Sequence, residues 1–238
     1  MDGELNVLCA GAVKGLVLAL QGDFERATGL RLHPTFGAVG AIREALGSGA
    51  PCDVFIATDR MVESLQASGE LRAGTEIAIG RVQTAIAVRA SAPTPRIDDA
   101  ESLKAALLAA SALYFPDATL STAGAHVASI LERLGLRDAL ASRLRMFANG
   151  ATAMRELADS DDGAIGCTQA TEIRYTPGLA LVGALPPPFA LATLYSATVA
   201  RSARDVDGAR RFIDLVVGAS SVELRRAGGF DGASAGDA

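Results

Sequence analysis

Leu5-Asn6-Val7-Leu8-Cys9-Ala10-Gly11-Ala12 is the stretch on which the fold turns. The nearly continuous apolar run reads as a buried strand. At Gly11-Ala12 the pattern changes to a helical repeat over 13–28, with Leu16, Leu20 and Phe24 on one face. Gly29 closes that helix, because glycine takes the left-handed conformation of a helix end at no steric cost. The same unit then recurs. Residues 30–36 form a strand in which Leu30, Leu32 and Pro34 alternate with Arg31 and His33. Gly37-Ala38-Val39-Gly40 is a small-residue turn that opens a helix over 41–46. Asp53-Val54-Phe55-Ile56-Ala57 is a third strand ending at Thr58-Asp59, followed by a helix over 61–68. This alternation of strand, loop and helix predicts an α/β fold with a mostly parallel sheet.

The rest of the chain continues in the same manner. Strands are expected at 82–89, 112–115, 164–168, 179–182 and 190–200. Helices are expected at 98–110, 125–134, 151–157, 206–217 and 220–227, with 140–144 helical or nearly so and 169–173 a turn or short helix. Residues 231–238 read as a Gly/Ala/Ser/Asp tail.

Composition narrows the function. The chain has 238 residues, half of them hydrophobic, a net charge of −5, two lysines and no tryptophan. An acidic chain with scattered arginines lacks the footprint of a nucleic-acid binder. Cys9, Cys52 and Cys167 are far apart and form no C-x-x-C pair, so zinc and dithiol chemistry are not indicated, and buried thiols are the default. No cofactor motif and no metal-ligand cluster is found. No uncharged run of about 18 apolar residues calls for membrane insertion. Met1-Asp2-Gly3-Glu4 lacks the basic start of a secretory signal. The expected location is therefore cytoplasmic, or extracytoplasmic if an export signal was removed.

In open α/β sheets, ligands bind beyond the carboxyl ends of the strands. Small residues stand there: Gly11 and Ala12, then Ala38, Val39 and Gly40, then Thr58. They let backbone N–H groups and helix starts approach an anion. One such turn is merely a tight turn; three in the same role suggest a binding surface.

The blocks Val7-Leu8-Cys9-Ala10-Gly11-Ala12-Val13, Phe36-Gly37-Ala38-Val39-Gly40-Ala41-Ile42, Gly49-Ala50-Pro51-Cys52-Asp53-Val54-Phe55-Ile56-Ala57-Thr58-Asp59 and Ala227-Gly228-Gly229-Phe230 carry a resemblance. The chain resembles the type II periplasmic solute-binding proteins, and within them the molybdate-binding branch. The resemblance covers residues 5–230. It implies two α/β lobes joined by two crossing hinge strands and closing on a ligand. The crossings would lie near 79–88 and 191–199. Lobe 1 would comprise 1–80 and 200–238, and lobe 2 would comprise 81–199.

The resemblance also exposes departures. Molybdate binders place serine hydroxyls where this chain has Ala12 and Val39, and a tyrosine where it has Gln169. Each lost hydroxyl on a desolvated anion costs about 1.5–3 kcal/mol, so molybdate is not the expected ligand. Ala10-Gly11-Ala12, Phe36-Gly37-Ala38-Val39-Gly40 and Thr168-Gln169-Ala170-Thr171-Glu172-Ile173 are closer to a subgroup that includes aconitate isomerase. That likeness implies a small organic anion, a di- or tricarboxylate, and a cofactor-free 1,3-proton shift. The alternative is a non-catalytic receptor that hands its ligand to a transporter permease.

The candidate residues follow, each with its plain structural reading beside it. Lys14 and Arg43 could meet a carboxylate or simply be solvated. Ser121 and Thr122 form a helix-start turn that the resemblance places at the cleft, though such residues cap helices anyway. Ala151, after Asn149-Gly150, and Gln169 join the ligand-contact set. His126 and Glu172 are the candidate acid/base groups; His126 could equally be packed, and Glu172 could pair with Arg174. Asp53 is expected to brace a turn, since it begins a strand away from the ligand end.

Overall fold

A computed structural model describes residues 3–232. It divides the chain into two compact units, one formed by residues 1–82 and 193–238 and the other by 83–192. In chain order, the first unit opens with β1 (Glu4–Ala10), a 3-10 turn at Gly11–Val13, α1 (Lys14–Thr28), β2 (Arg31–Gly37), α2 (Val39–Gly47), β3 (Val54–Thr58) and α3 (Asp59–Ala67). The chain passes into the second unit within β4 (Ile77–Arg89). There follow α4 (Ala100–Ala109), β5 (Leu113–Pro116), α5 (Thr122–Arg133), α6 (Arg137–Leu140), β6 (Leu144–Phe147), α7 (Gly150–Ala158), β7 (Ile165–Gln169), α8 (Ala170–Tyr175) and β8 (Leu179–Ala184). The return is made at the head of β9 (Ala192–Val199), before α9 (Val206–Val217) and α10 (Val222–Gly228) complete the first unit.

In the first unit β1 lies between β2 and β3, parallel to both, and β9 runs antiparallel to β3. The ends align: Ala10 stands beside Gly37, and Cys9 beside Phe36 and Ile56. The small residues that follow all three parallel strands therefore share one edge of the sheet. Apolar residues of the strands and of α1 and α9 make the core. Val54, Phe55 and Ile56 are fully buried, and Phe24 meets Phe212 edge-on with centroids 5.1 Å apart. Such an aromatic pair adds about 0.5–1.5 kcal/mol beyond area burial. Gly29 takes the left-handed conformation, φ 73°, as the sequence predicts for the end of α1.

Asp53 holds the opposite end of this sheet. It is 2% exposed. Its Oδ2 accepts from the Asn6 backbone N–H (2.8 Å) and the Asn6 side chain (3.3 Å), and its Oδ1 accepts from the Arg204 N–H (2.7 Å). Three chain segments are thus tied by one carboxylate, the bracing role expected from the sequence.

In the second unit β5 pairs in parallel with β6 and β7, while β4 is antiparallel to β7 and to β8. Leu103, Leu107, Leu113, Val127, Ile130, Leu131 and Ile165 form its core. At two places the structure departs from the local sequence pattern. The helical reading of 140–144 ends at a 3-10 turn, Ala141–Arg143, and Leu144 begins a strand. Leu-Arg-Met-Phe is too short to show a period; its strand state comes from pairing with Leu113–Pro116, a tertiary contact. The tail reading is also shortened at its start, because Asp231 bridges to Arg81. Its remainder, 233–238, lies outside the described residues.

Candidate functional site

The parallel strands of the first unit deliver three helix starts to one edge. Ala10 precedes the Gly11–Val13 turn, Ala38 precedes α2 and Thr58 precedes α3; each is extended, and no side chain caps any of the three starts. Ala12, Ala38, Val39 and Thr58 are buried. Bare, small-residue helix starts leave backbone N–H groups able to meet an anion. Lys14 opens α1 with its Nζ 5.6 Å from the centroid of the Phe36 ring, a cation–π placement beside the same edge. Arg43 is exposed on α2. Cavities of about 430 Å³ in this unit open at the other end of the sheet, against Asn6, Pro51 and Asp53, away from the expected contact residues.

In the second unit the parallel strands end at Pro116, Phe147 and Gln169. Ser121 Oγ accepts from the Gly124 N–H (3.3 Å) and Asn149 Oδ1 from the Thr152 N–H (2.9 Å), so both residues cap their helices. Thr122 is the first residue of α5. Two glycines carry close approaches. A Cβ at Gly124 would sit 2.3 Å from the Pro116 carbonyl oxygen and 2.2 Å from that of Asp117. A Cβ at Gly150 would meet Glu172 Oε2 at 2.0 Å and Thr168 Oγ1 at 2.2 Å.

Glu172 is 7% exposed. Thr168 Oγ1 donates to its Oε2 at 2.5 Å, and the backbone N–H groups of Gln169 and Ala151 lie where they favour the charged form. Burial pushes its carboxyl above the usual carboxylate range, against the opposing pull of these three donors. The alternative pairing is not found: among the described residues no ion pair joins Glu172 to Arg174. The carboxylate binds the start of α7 to the end of β7.

His126 lies in α5, half-buried, with Nε2 2.7 Å from the Phe189 carbonyl oxygen. Arg133, on the same helix, stacks on the Phe189 ring at 4.5 Å. Two residues of α5 therefore hold the segment before β9. The cysteines are buried and unpaired. Burial pushes the thiols of Cys52 and Cys167 up to about 12 and that of Cys9 higher still, so they are poor nucleophiles.

Gln169 differs from its neighbours. It is 3% exposed, yet neither its Oε1 nor its Nε2 has a hydrogen-bond partner; the hydroxyls of Thr84 and Thr171, also buried, have none either. Sequence reading reaches Gln169 but not Thr84 or Thr171, because nothing local marks them.

The comparisons agree with this architecture. A family profile described as bacterial extracellular solute-binding protein matches residues 5–231. An aconitate isomerase from a Pseudomonas species is 27% identical over 218 residues, 89% of this chain and 81% of that protein. Among solved structures, the periplasmic molybdate-binding protein of Azotobacter vinelandii superposes with a TM-score of 0.78 at 20% identity, covering 97% of this chain and all of that one. A sulfate-binding protein from Mycobacterium tuberculosis gives 0.76 at 14% identity, with 98% and 88% covered.

Proposed function

The chain belongs to the bacterial extracellular solute-binding protein family, and on that premise we propose that it binds a small organic anion, a di- or tricarboxylate. The observation that carries this reading is the set of three uncapped helix starts, at Ala10, Ala38 and Thr58, on one edge of the first unit. Carboxylates are well served by backbone N–H groups at helix starts, and Lys14 adds a positive charge beside Phe36. The apolar side chains of Ala12 and Val39 offer no hydroxyl to a tetrahedral oxyanion, which speaks against molybdate.

The family's description and the periplasmic molybdate-binding neighbour favour work outside the cytoplasm, and this replaces the cytoplasmic expectation. Among the described residues no helix is long and apolar enough to cross a membrane. As a receptor, the protein would pass its ligand to a membrane permease.

A second reading, isomerisation by a 1,3-proton shift, is favoured by the aconitate isomerase relative. The acid/base groups named from sequence give it less support, because His126 faces the Phe189 carbonyl and Glu172 faces three donors of its own unit.

Thermal shift with molybdate, tungstate and a panel of di- and tricarboxylates tests the binding reading. A ligand at 100 times its Kd stabilises by about 2.7 kcal/mol, so a carboxylate should raise Tm visibly. Sub-micromolar molybdate binding with no carboxylate response would overturn the proposal. Incubation with cis- and trans-aconitate in deuterated water separates the two readings: binding without interconversion identifies a receptor, and deuterium-labelled isomer identifies the enzyme.

A further inference from the structure

Thr84 and Gln169 stand directly opposite each other across the antiparallel β4–β7 pair. Both backbone groups of Thr84 turn away from β7. Its N–H donates to the Leu191 carbonyl (2.8 Å), and its carbonyl accepts from the Leu185 N–H (3.0 Å). Thr84 and Gln169 are therefore a non-hydrogen-bonded cross-strand pair. That geometry brings Cα atoms to about 4.5 Å and puts both side chains close together on one face. Both residues are buried, at 0% and 3% exposure, and Gln169 is the last residue of its strand.

Despite this closeness, Thr84 Oγ1, Gln169 Oε1 and Gln169 Nε2 have no hydrogen-bond partner, nor does Thr171 Oγ1 two residues on. Native proteins leave few buried polar groups unsatisfied. Three such atoms on one facing pair, where a parallel strand reaches its carboxyl end, call for polar atoms of a ligand.

The chemistry of these atoms selects the ligand group. Nε2 offers two donors, Oε1 only accepts, and each hydroxyl does both. A bare oxyanion or carboxylate has acceptors alone. It would answer Nε2 and the hydroxyls but leave Oε1 without a donor. A ligand ammonium would supply donors but needs an anionic partner, and the Glu172 carboxylate is engaged by Thr168. A neutral O–H donates once, to Oε1, and accepts twice, from Nε2 and the Thr84 hydroxyl.

We propose that Thr84 and Gln169 form a subsite for the hydroxyl of a hydroxycarboxylate; this deepens, and rests on, the carboxylate-binding reading above. The subsite lies in residues 83–192 and selects by hydroxyl rather than by charge.

Calorimetric titration of the full chain with matched acids tests it. The pairs are malate with succinate and citrate with tricarballylate, and cis-aconitate serves as an unsaturated acid lacking a hydroxyl. Each hydroxy acid should bind at least about tenfold more tightly than its partner. Gln169→Leu should abolish that preference, bringing the two acids of each pair to similar affinity. Thr84→Val, nearly the same shape, should reduce it, and covers the case in which the leucine variant fails to fold. Equal affinity within each pair would overturn the subsite and leave carboxylate binding standing; the unpartnered atoms would then hold ordered water only. Failure of every acid to bind would overturn both readings together.

Discussion

Gly150→Ala adds one methyl group at the first residue of α7, and the structure says what it strikes. The new Cβ would lie 2.0 Å from Glu172 Oε2, 2.5 Å from its Cδ and 2.2 Å from Thr168 Oγ1. Those oxygens are themselves joined at 2.5 Å. Neither can retreat alone without breaking that bond. Relieving the clash means giving up at least one hydrogen bond to the carboxylate, about 1.5–3 kcal/mol, with about 1–3 kcal/mol of overpacking strain. Replacing helical glycine returns no more than about 1 kcal/mol. The net loss should be about 2–5 kcal/mol, or a fall in Tm of about 5–20 °C for a chain of this size. Urea unfolding followed by circular dichroism measures it. Gly47→Ala is the control, because its Cβ would meet nothing nearer than Glu70 Oε1 at 3.9 Å. The double variant with Glu172→Ala should lose less than the sum of the two singles, since the struck carboxylate is gone. A Gly150→Ala protein within 1 kcal/mol of wild type would refute the account of Glu172 as a fixed tie between α7 and β7.

Two further outcomes follow from the same bonding. Asp53→Ala leaves the N–H groups of Asn6 and Arg204 without their buried acceptor and should cost about 3–5 kcal/mol by urea unfolding, with Asp53→Asn losing less; a loss under 1 kcal/mol would remove Asp53 as the brace of the first unit. Glu172 should leave a pH signature: its native carboxyl is pushed above the unfolded value of about 4.5, so between the two values the native state holds the extra proton and its stability falls as pH rises. The difference in unfolding free energy between wild type and Glu172→Gln should accordingly favour wild type most on the acid side of that window and shrink across it; a difference flat from pH 4 to 8 would count against the raised value.

What sequence made legible was what neighbouring residues determine. The helix over 13–28 ends at Gly29 because a local apolar stripe and a left-handed glycine suffice to define it. The small-residue edges at Gly11, Ala38 and Thr58 were readable because each strand hands directly to its helix. Strand β6 was not readable, since Leu144–Phe147 becomes a strand by lying against β5. Glu172 shows the same limit for side chains. Its sequence neighbours suggested Arg174 or a free base, whereas its partners include Ala151, brought to it by the packing of α7 against α8. Thr84 carried no local signal at all; its meaning comes from standing opposite Gln169.

The second unit thus separates two kinds of polar burial. Around Glu172 the cluster is closed: Thr168 donates to the carboxylate, and the backbone N–H groups of Gln169 and Ala151 stand beside it and favour its charge. Around the Gln169 side chain the reverse holds, with donors and acceptors buried and left open. The two lie on one short segment, because Gln169 gives its backbone to the closed cluster and its side chain to the open one. A closed cluster fixes where the backbone of Gln169 stands, and a fixed backbone is what lets an unpartnered amide be held ready rather than turned to the nearest protein group. Disturbing Glu172 should therefore be felt at the amide, whereas replacing the amide by an apolar side chain should leave the carboxylate cluster intact. Gln169→Leu is accordingly expected to alter ligand preference with little loss of stability, and Gly150→Ala to reduce stability and ligand affinity together.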